Sequence, residues 1–452
     1  MNTPLRSMTL AVLVGAALTL YAQVAAAPFA PPTLAGAAAS LYVPDEVLVK
    51  FKPTASMQAR MGAMAARGHS VVANLNQPGW AQVKFLAGQT METALTAYRN
   101  DPDVEYVQPN YIYRATAVPN DTQYGQLWAF RNTGQTVTTG TYAPNAGTVG
   151  NDMNIELAWS RITDCTSVVV AVLDSGVNYN HQDLAANMWN GGSSFPNHGH
   201  DFADNDNDPM DPSGHGTHLA GIIGAVGNNG TGTAGVCQKA SIMAVRVLDA
   251  AGNVTTATAL QGISFAVTNG ARVINMSFVG GGSFDQLFSD AITNAQNSDV
   301  VVVVAAGNET SDNDAAGSAR YPCNFTQPNL VCVTALDQNY ALANFSNWGA
   351  SSVDVGAPGT NILSTWAGAG SNNASYNTID GTSMASPEVA GLATMLRAFN
   401  PQYTFLDTVN AIKNGGRSIP ALAGKTTTGK AVDVMSSLAY INPPMGLTAT
   451  VR

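Results

Sequence analysis

The feature that most constrains this chain is a set of five apolar runs: Val168–Leu173, Ile242–Leu248, Val273–Met276, Val300–Ala305 and Leu330–Ala335. They do not alternate polar and apolar residues, as a strand with one wet face must. Glycine-punctuated helical segments lie between them. Continuous apolar strands separated by helices predict a parallel sheet covered on both faces, an α/β architecture. A chain of 452 residues exceeds one average domain, so further units are expected.

One such unit precedes the sheet. Glu46–Lys52 alternates as a strand and Ala55–Arg67 has helix-forming composition. Val71–Leu75 and Ala81–Leu86 read as strands, the second following a Pro78-Gly79 turn. Met91–Asn100 is helical and Val104–Tyr113 is a last strand. Strand-helix-strand-strand-helix-strand is the order of a small ferredoxin-like α/β unit, assigned here to 42–114. Ahead of it, Arg6, an apolar run from about Leu10 to Tyr21 and a cluster of alanines form a signal peptide over 1–26. That run is too short to remain in a bilayer as a spanning helix. An Ala/Pro/Gly-rich linker occupies 27–41, and the loop after Arg114 opens a domain over 115–442, followed by a tail over 443–452.

Only 11% of the residues are charged, which suits a stable extracellular globule. The net charge of −10 leaves no basic footprint for nucleic acid. Four cysteines in an exported chain suggest two disulfides, with three possible connectivities. Cys165 and Cys237 each precede a strand-like run, and Cys323 and Cys332 flank a turn-like stretch. Cys165–Cys237 with Cys323–Cys332 is therefore the preferred pairing, with free buried thiols as the alternative.

Three short segments carry the chemistry. Val168–Leu173 runs into Asp174-Ser-Gly, placing a carboxylate at the carboxyl end of a buried strand. Taken alone, Asp-Ser-Gly reads as a turn. Gly214-His215-Gly-Thr-His218 opens an apolar helix, and Gly381-Thr-Ser383-Met-Ala-Ser-Pro387 opens another, with Pro387 expected in its first turn. A serine hydroxyl needs a base to become a nucleophile, and imidazole has a suitable pKa. A buried carboxylate then fixes the imidazole tautomer and stabilises its protonated form. His218, three residues after His215, could make a metal pair with it, but the Glu of a His-Glu-x-x-His motif is absent.

In their order Asp, His, Ser, these segments resemble the signatures of subtilisin-like serine proteases of the thermitase-like subgroup, over roughly Pro119 to Tyr440. The resemblance implies a three-layer fold with a parallel sheet between helices. It also implies a secreted serine endopeptidase with Asp174, His215 and Ser383 as its triad, His215 as base and His218 as a supporting helix residue. Val301-Val-Val-Val-Ala-Ala-Gly-Asn308 matches the family's oxyanion segment, so Asn308 and the Ser383 N–H would stabilise the tetrahedral oxyanion. Ser277, Phe278 and Val279, opposite Ala305, Ala306 and Gly307, would line the substrate cleft. Phe278 and Val279 replace the more usual Leu and Gly, and Arg320 falls near the closure of the first specificity pocket, either as a determinant or as a solvated loop arginine.

The acidic stretch Asp201–Asp211 calls for a compensating charge, and a hard cation with oxygen ligands is one answer. The resemblance implies calcium at Asp201, Asp204 and Asp206, and at a tighter site formed by Asp121, Asp183 and Asn229. It also implies that 42–114 is a propeptide that inhibits its own protease and is removed by self-cleavage between about Arg114 and Val118. The expected partners are protein or peptide substrates and that propeptide, without nucleic acid or membrane, on a monomer. An inactive binding scaffold would be expected to lack a triad or oxyanion residue, and none is missing. A peptide ligase using the same acyl intermediate would differ only in its products. Glu388 is a departure, since relatives usually place His after the proline.

Overall fold

The computed structural model describes residues 42–75, 78–86, 88–111, 118–368 and 372–440. The expected signal peptide, the linker, most of the 114–118 processing segment and the C-terminal tail lie outside the described residues.

The N-terminal unit consists of β1 (Tyr42–Phe51), α1 (Met57–Ala65), β2 (Ser70–Asn74), β3 (Trp80–Lys84), α2 (Met91–Arg99) and β4 (Val104–Tyr111). Its antiparallel sheet has the order β2-β3-β1-β4, the ferredoxin-like arrangement expected. The two helices begin on Ser56 and Thr90, whose side chains accept the third helical N–H. Val47, Val49, Ala81 and Val83 point inward against Ala94, Leu95 and Tyr98.

The larger unit is built on a nine-stranded sheet. From one edge its strands are Arg417–Ser418, Lys430–Ala431, Val355–Pro358, Leu330–Leu336, Val301–Ala305, Ala271–Met276, Asp164–Asp174, Lys239–Arg246 and Gly199–Asp201. Every neighbouring pair is parallel except the first. Val301 and Val303 face one core, with the helices His215–Gly224 and Thr382–Phe399. Val302 and Val304 face the other, with Thr256–Thr268 and Gln286–Asn297. Two dry faces are why these strands carry no alternation.

Cys165–Cys237 and Cys323–Cys332 are both disulfide-bonded. The first joins two adjacent strand starts, since Asp164 and Lys239 are paired across the sheet.

Candidate active site

Asp174 ends its strand wholly buried, at the carboxyl edge of the sheet. Its Oδ1 accepts hydrogen bonds from His215 Nδ1 at 2.6 Å and from the Ser175 N–H at 2.8 Å. A carboxylate against Nδ1 fixes the proton there and leaves Nε2 free to act as a base. Burial alone would lower the His215 pKa, but Asp174, with a smaller contribution from Asp211, outweighs it and the net shift is upward. The bracketing glycines have steric causes. A Cβ on Gly214 would lie 2.3 Å from the Trp366 ring, and one on Gly216 would lie 2.1 Å from the Gly176 carbonyl.

His218 is of a different kind. It is fully buried, and its Nε2 lies within 3.0 and 3.1 Å of the Ile362 and Asn377 carbonyls. Two carbonyl acceptors require the proton on Nε2, and burial pushes its pKa down to about 3. A neutral ring locked into the fold supports the helix and has no access to a substrate.

Asp211 was not singled out in the sequence, where it was one acid among many. Its Oδ1 accepts from Ser175 Oγ and the Ser213 and Gly214 N–H groups. Its Oδ2 accepts from the Thr217 N–H and hydroxyl. Ser175 Oγ in turn accepts the Gly216 N–H at 2.9 Å. The loop that delivers His215 is thereby tied to the turn that delivers Asp174. Asp211's position four residues before His215 was the available signal.

Ser383 is the second residue of the helix Thr382–Phe399. Pro387 lies in the second turn, not the first as expected, and so removes the N–H that would bond the Ser383 carbonyl. The Ser277 hydroxyl takes that place, 3.1 Å from the Ser383 carbonyl. In return the Ser383 hydroxyl donates to the Ser277 carbonyl at 3.1 Å. Asn275 and Ser386 complete the link, with Asn275 Nδ2 donating to Ser277 Oγ and Ser386 Oγ donating to Asn275 Oδ1. The strand that leads into the expected cleft therefore holds the helix that carries the serine.

Asn308 follows the buried strand Val301–Ala305 and is exposed. The Thr382 N–H and hydroxyl both donate to its Oδ1 at 2.9 Å, which turns Nδ2 outward as a donor. Ala305, Ala306 and Gly307 are buried beside it, and Ser277, Phe278 and Val279 leave the adjacent strand at the same edge. The short strands Gly280–Gly281 and Arg320–Tyr321 pair antiparallel. Arg320 Nε reaches Glu309 Oε2 at 3.4 Å, so the arginine is tied to the loop after Asn308.

The two expected cation sites differ. Asp121 and Asp183 are buried, and both pKa values are raised by burial, that of Asp183 to about 6. Asp121 accepts the Asn228 and Asn229 N–H groups, and Asn229 Nδ2 donates to Asp183 Oδ1. Two buried carboxylates with an amide between them are a donor set that fits a hard dication. Asp201 and Asp204 instead share Arg246 Nη1, a guanidinium that already offsets their charge. Asp206 Oδ1 accepts the Asp208 N–H.

A buried Asp–His pair, a serine at a helix start and an outward amide, together on the carboxyl edge of a parallel sheet, define a serine hydrolase of subtilisin-like fold. The subtilase family profile matches residues 166–418, and the fervidolysin N-terminal prodomain profile matches 29–110. A thermophilic serine proteinase of a Bacillus species is 37% identical over 356 residues, covering 78% of each chain. Thermitase of Thermoactinomyces vulgaris is 42% identical over 239 residues, covering 53% of this chain and 77% of thermitase. Among solved structures, a Pseudoalteromonas arctica protease aligns at TM-score 0.58 and 32% identity, covering 72% of this chain and all of that one. The chain belongs to the subtilase family. It is a serine endopeptidase with an N-terminal prodomain.

Proposed function

We propose that this chain is a secreted, self-processing endopeptidase whose triad is Asp174, His215 and Ser383. The observation that carries this reading is the 2.6 Å Asp174–His215 pair, with His215 shifted upward by the carboxylate. On substrate binding, the Ser383 hydroxyl leaves the Ser277 carbonyl and gives its proton to His215 Nε2 as Oγ attacks the scissile carbonyl. The oxyanion is met by Asn308 Nδ2 and by the Ser383 N–H, a free donor in the first helical turn. Imidazolium then protonates the leaving amine, and water repeats the sequence on the acyl-enzyme. Substrate would lie along Ser277, Phe278 and Val279, opposite Ala305, Ala306 and Gly307. Arg320, anchored on Glu309, would set the charge met by the P1 side chain.

The unit 42–114 would be the propeptide and 115–442 the mature enzyme. The match to a prodomain family and the ferredoxin-like sheet support this division. Export rests on the signal-peptide pattern of residues 1–26 and is consistent with two disulfides. Calcium would be held by Asp121, Asp183 and Asn229 as a structural ion that takes no part in the chemistry. Asp201, Asp204 and Asp206 would hold a second ion only in competition with Arg246.

Expression of the full chain beside Ser383→Ala tests the reading directly. Wild type is expected to lose about 114 residues, within the few-residue error of such boundaries, while the variant keeps them. Equal processing of both would assign cleavage to another protease. Chelation is expected to lower the Tm of wild type and not of Asp183→Asn. At calcium one hundred times its Kd the ion contributes about 2.7 kcal/mol. An unchanged Tm in wild type removes the calcium sites.

A further inference from the structure

Asn347 lies on no catalytic segment, yet it is fully buried directly behind the loop that presents Asn308. Its Oδ1 accepts the N–H groups of Glu309 and Ser311, each at 2.9 Å. Its Nδ2 reaches the Ala306 carbonyl at 3.2 Å, Glu309 Oε2 at 2.6 Å and Asn313 Oδ1 at 3.1 Å. Two N–H donors on one side and three oxygen acceptors on the other admit only one orientation of the amide. Its backbone N–H also donates to the Gly307 carbonyl at 2.9 Å.

The consequence falls on Asn308. The Gly307 carbonyl belongs to the peptide unit before it, and the Glu309 N–H belongs to the unit after it. Both peptide planes that meet at the Asn308 Cα are thus bonded to the same buried residue. Gly307 is part of the arrangement, because a Cβ there would lie 2.4 Å from Asn347 Nδ2 and 2.7 Å from Glu309 Oε2. With the backbone held by Asn347 and the side-chain oxygen held by Thr382, the planar amide of Asn308 is left with its Nδ2 in one direction, outward.

We infer that Asn347 is a positioning residue for the oxyanion donor, fixing Asn308 through both of its peptide units before any substrate binds. A preformed donor costs no reorganisation as the oxyanion develops, whereas a displacement near 1 Å costs about 10²-fold in rate. The same amide holds the Glu309 carboxylate that meets Arg320, so the rim of the cleft is set by the residue that sets the oxyanion donor.

This inference rests on the reading of Asn308 as an oxyanion donor, and the test separates the two. Asn347→Asp keeps the acceptor toward Glu309 and Ser311 but turns the donor into a charge facing Glu309. Asn347→Ser withdraws the amide without adding charge. Each variant, Asn308→Ala and the double variants are matured by tagged wild-type enzyme, which is then removed, and active sites are titrated before kcat and KM are measured. Asn347→Asp is expected to lower kcat about tenfold to a hundredfold with KM changed less than about threefold. In the Asn308→Ala background the same substitution is expected to change kcat less than about twofold. Equal losses in both backgrounds, or an unchanged kcat for Asn347→Asp, overturn the inference. Failure of both Asn347 variants to accumulate as folded precursor also overturns it, since Asn347 would then belong to the fold in general. Should Asn308→Ala alone leave kcat unchanged, the oxyanion reading fails instead.

Discussion

The buried acids beside His215 and the buried Glu388 stand in opposite surroundings. Around His215, Asp174 Oδ1 accepts two hydrogen bonds while its Oδ2 has none among the described residues, and Asp211 accepts five across both its oxygens. On the helix Thr382–Phe399, five residues beyond Ser383, Glu388 is as deeply buried, and its Oε2 has no hydrogen-bond partner among the described residues. It borders a cavity of about 10 Å³ walled by Leu127, Trp128, Phe130, Ile222 and Leu363, room for about one water. Burial pushes its pKa well above the ordinary 4.5, so it is held as the neutral acid. A buried carboxyl group can be supplied with donors or kept protonated. The acids beside His215 have hydrogen-bond donors, whereas Glu388 Oε2 has none among the described residues and burial favours its proton.

The strongest way to break this contrast is Asp174→Asn. It is expected to preserve the fold and lower kcat about 10⁴-fold, because the amide favours the wrong imidazole tautomer. A loss below tenfold on a chromogenic peptide would remove Asp174 from the triad. Asp211→Ala comes next. It leaves buried N–H and hydroxyl donors without an acceptor, which is expected to cost about 3 kcal/mol. Urea unfolding of the Ser383→Ala precursor would measure it, and a cost within about 0.5 kcal/mol would reduce Asp211 to an ordinary loop acid.

Glu388→Gln sharpens the other half, with a smaller effect per step. In the unfolded chain Glu388 loses its proton near pH 4.5, while the native state retains it. Above that pH the unfolded state binds fewer protons, so stability falls as pH rises toward the native pKa. Glutamine has no such dependence. The variant is therefore expected to gain on wild type by about 1.4 kcal/mol per pH unit between the unfolded and native pKa values, and nothing further beyond the native one. Urea midpoints from pH 4 to 8, both in the Ser383→Ala background, measure the gap. Parallel curves would mean that Glu388 is ionised and partnered.

Much of the fold was legible because its signals are local. The apolar runs that predicted a parallel sheet all became its strands, with ends moved by a few residues. The ferredoxin-like order appeared as read, down to its antiparallel sheet. Pro387 was misplaced by a turn, because helix numbering depends on where Thr382 enters, which composition does not fix. The resemblance implied a cation at Asp201, Asp204 and Asp206 in the acidic run. In the structure Arg246, from a strand far along the chain, stands between Asp201 and Asp204.

By itself the sequence determined the sheet, the prodomain and the segments bearing Asp174, His215, Asn308 and Ser383. Each of these is a strand end or helix start written in contiguous residues. Only the tertiary structure decided which acids have partners, that His218 is locked on two carbonyls and that Asn347 lies behind Asn308. A hydrogen-bond partner or a cavity is assembled from segments distant in the chain, and burial, which sets its value, is a property of their packing.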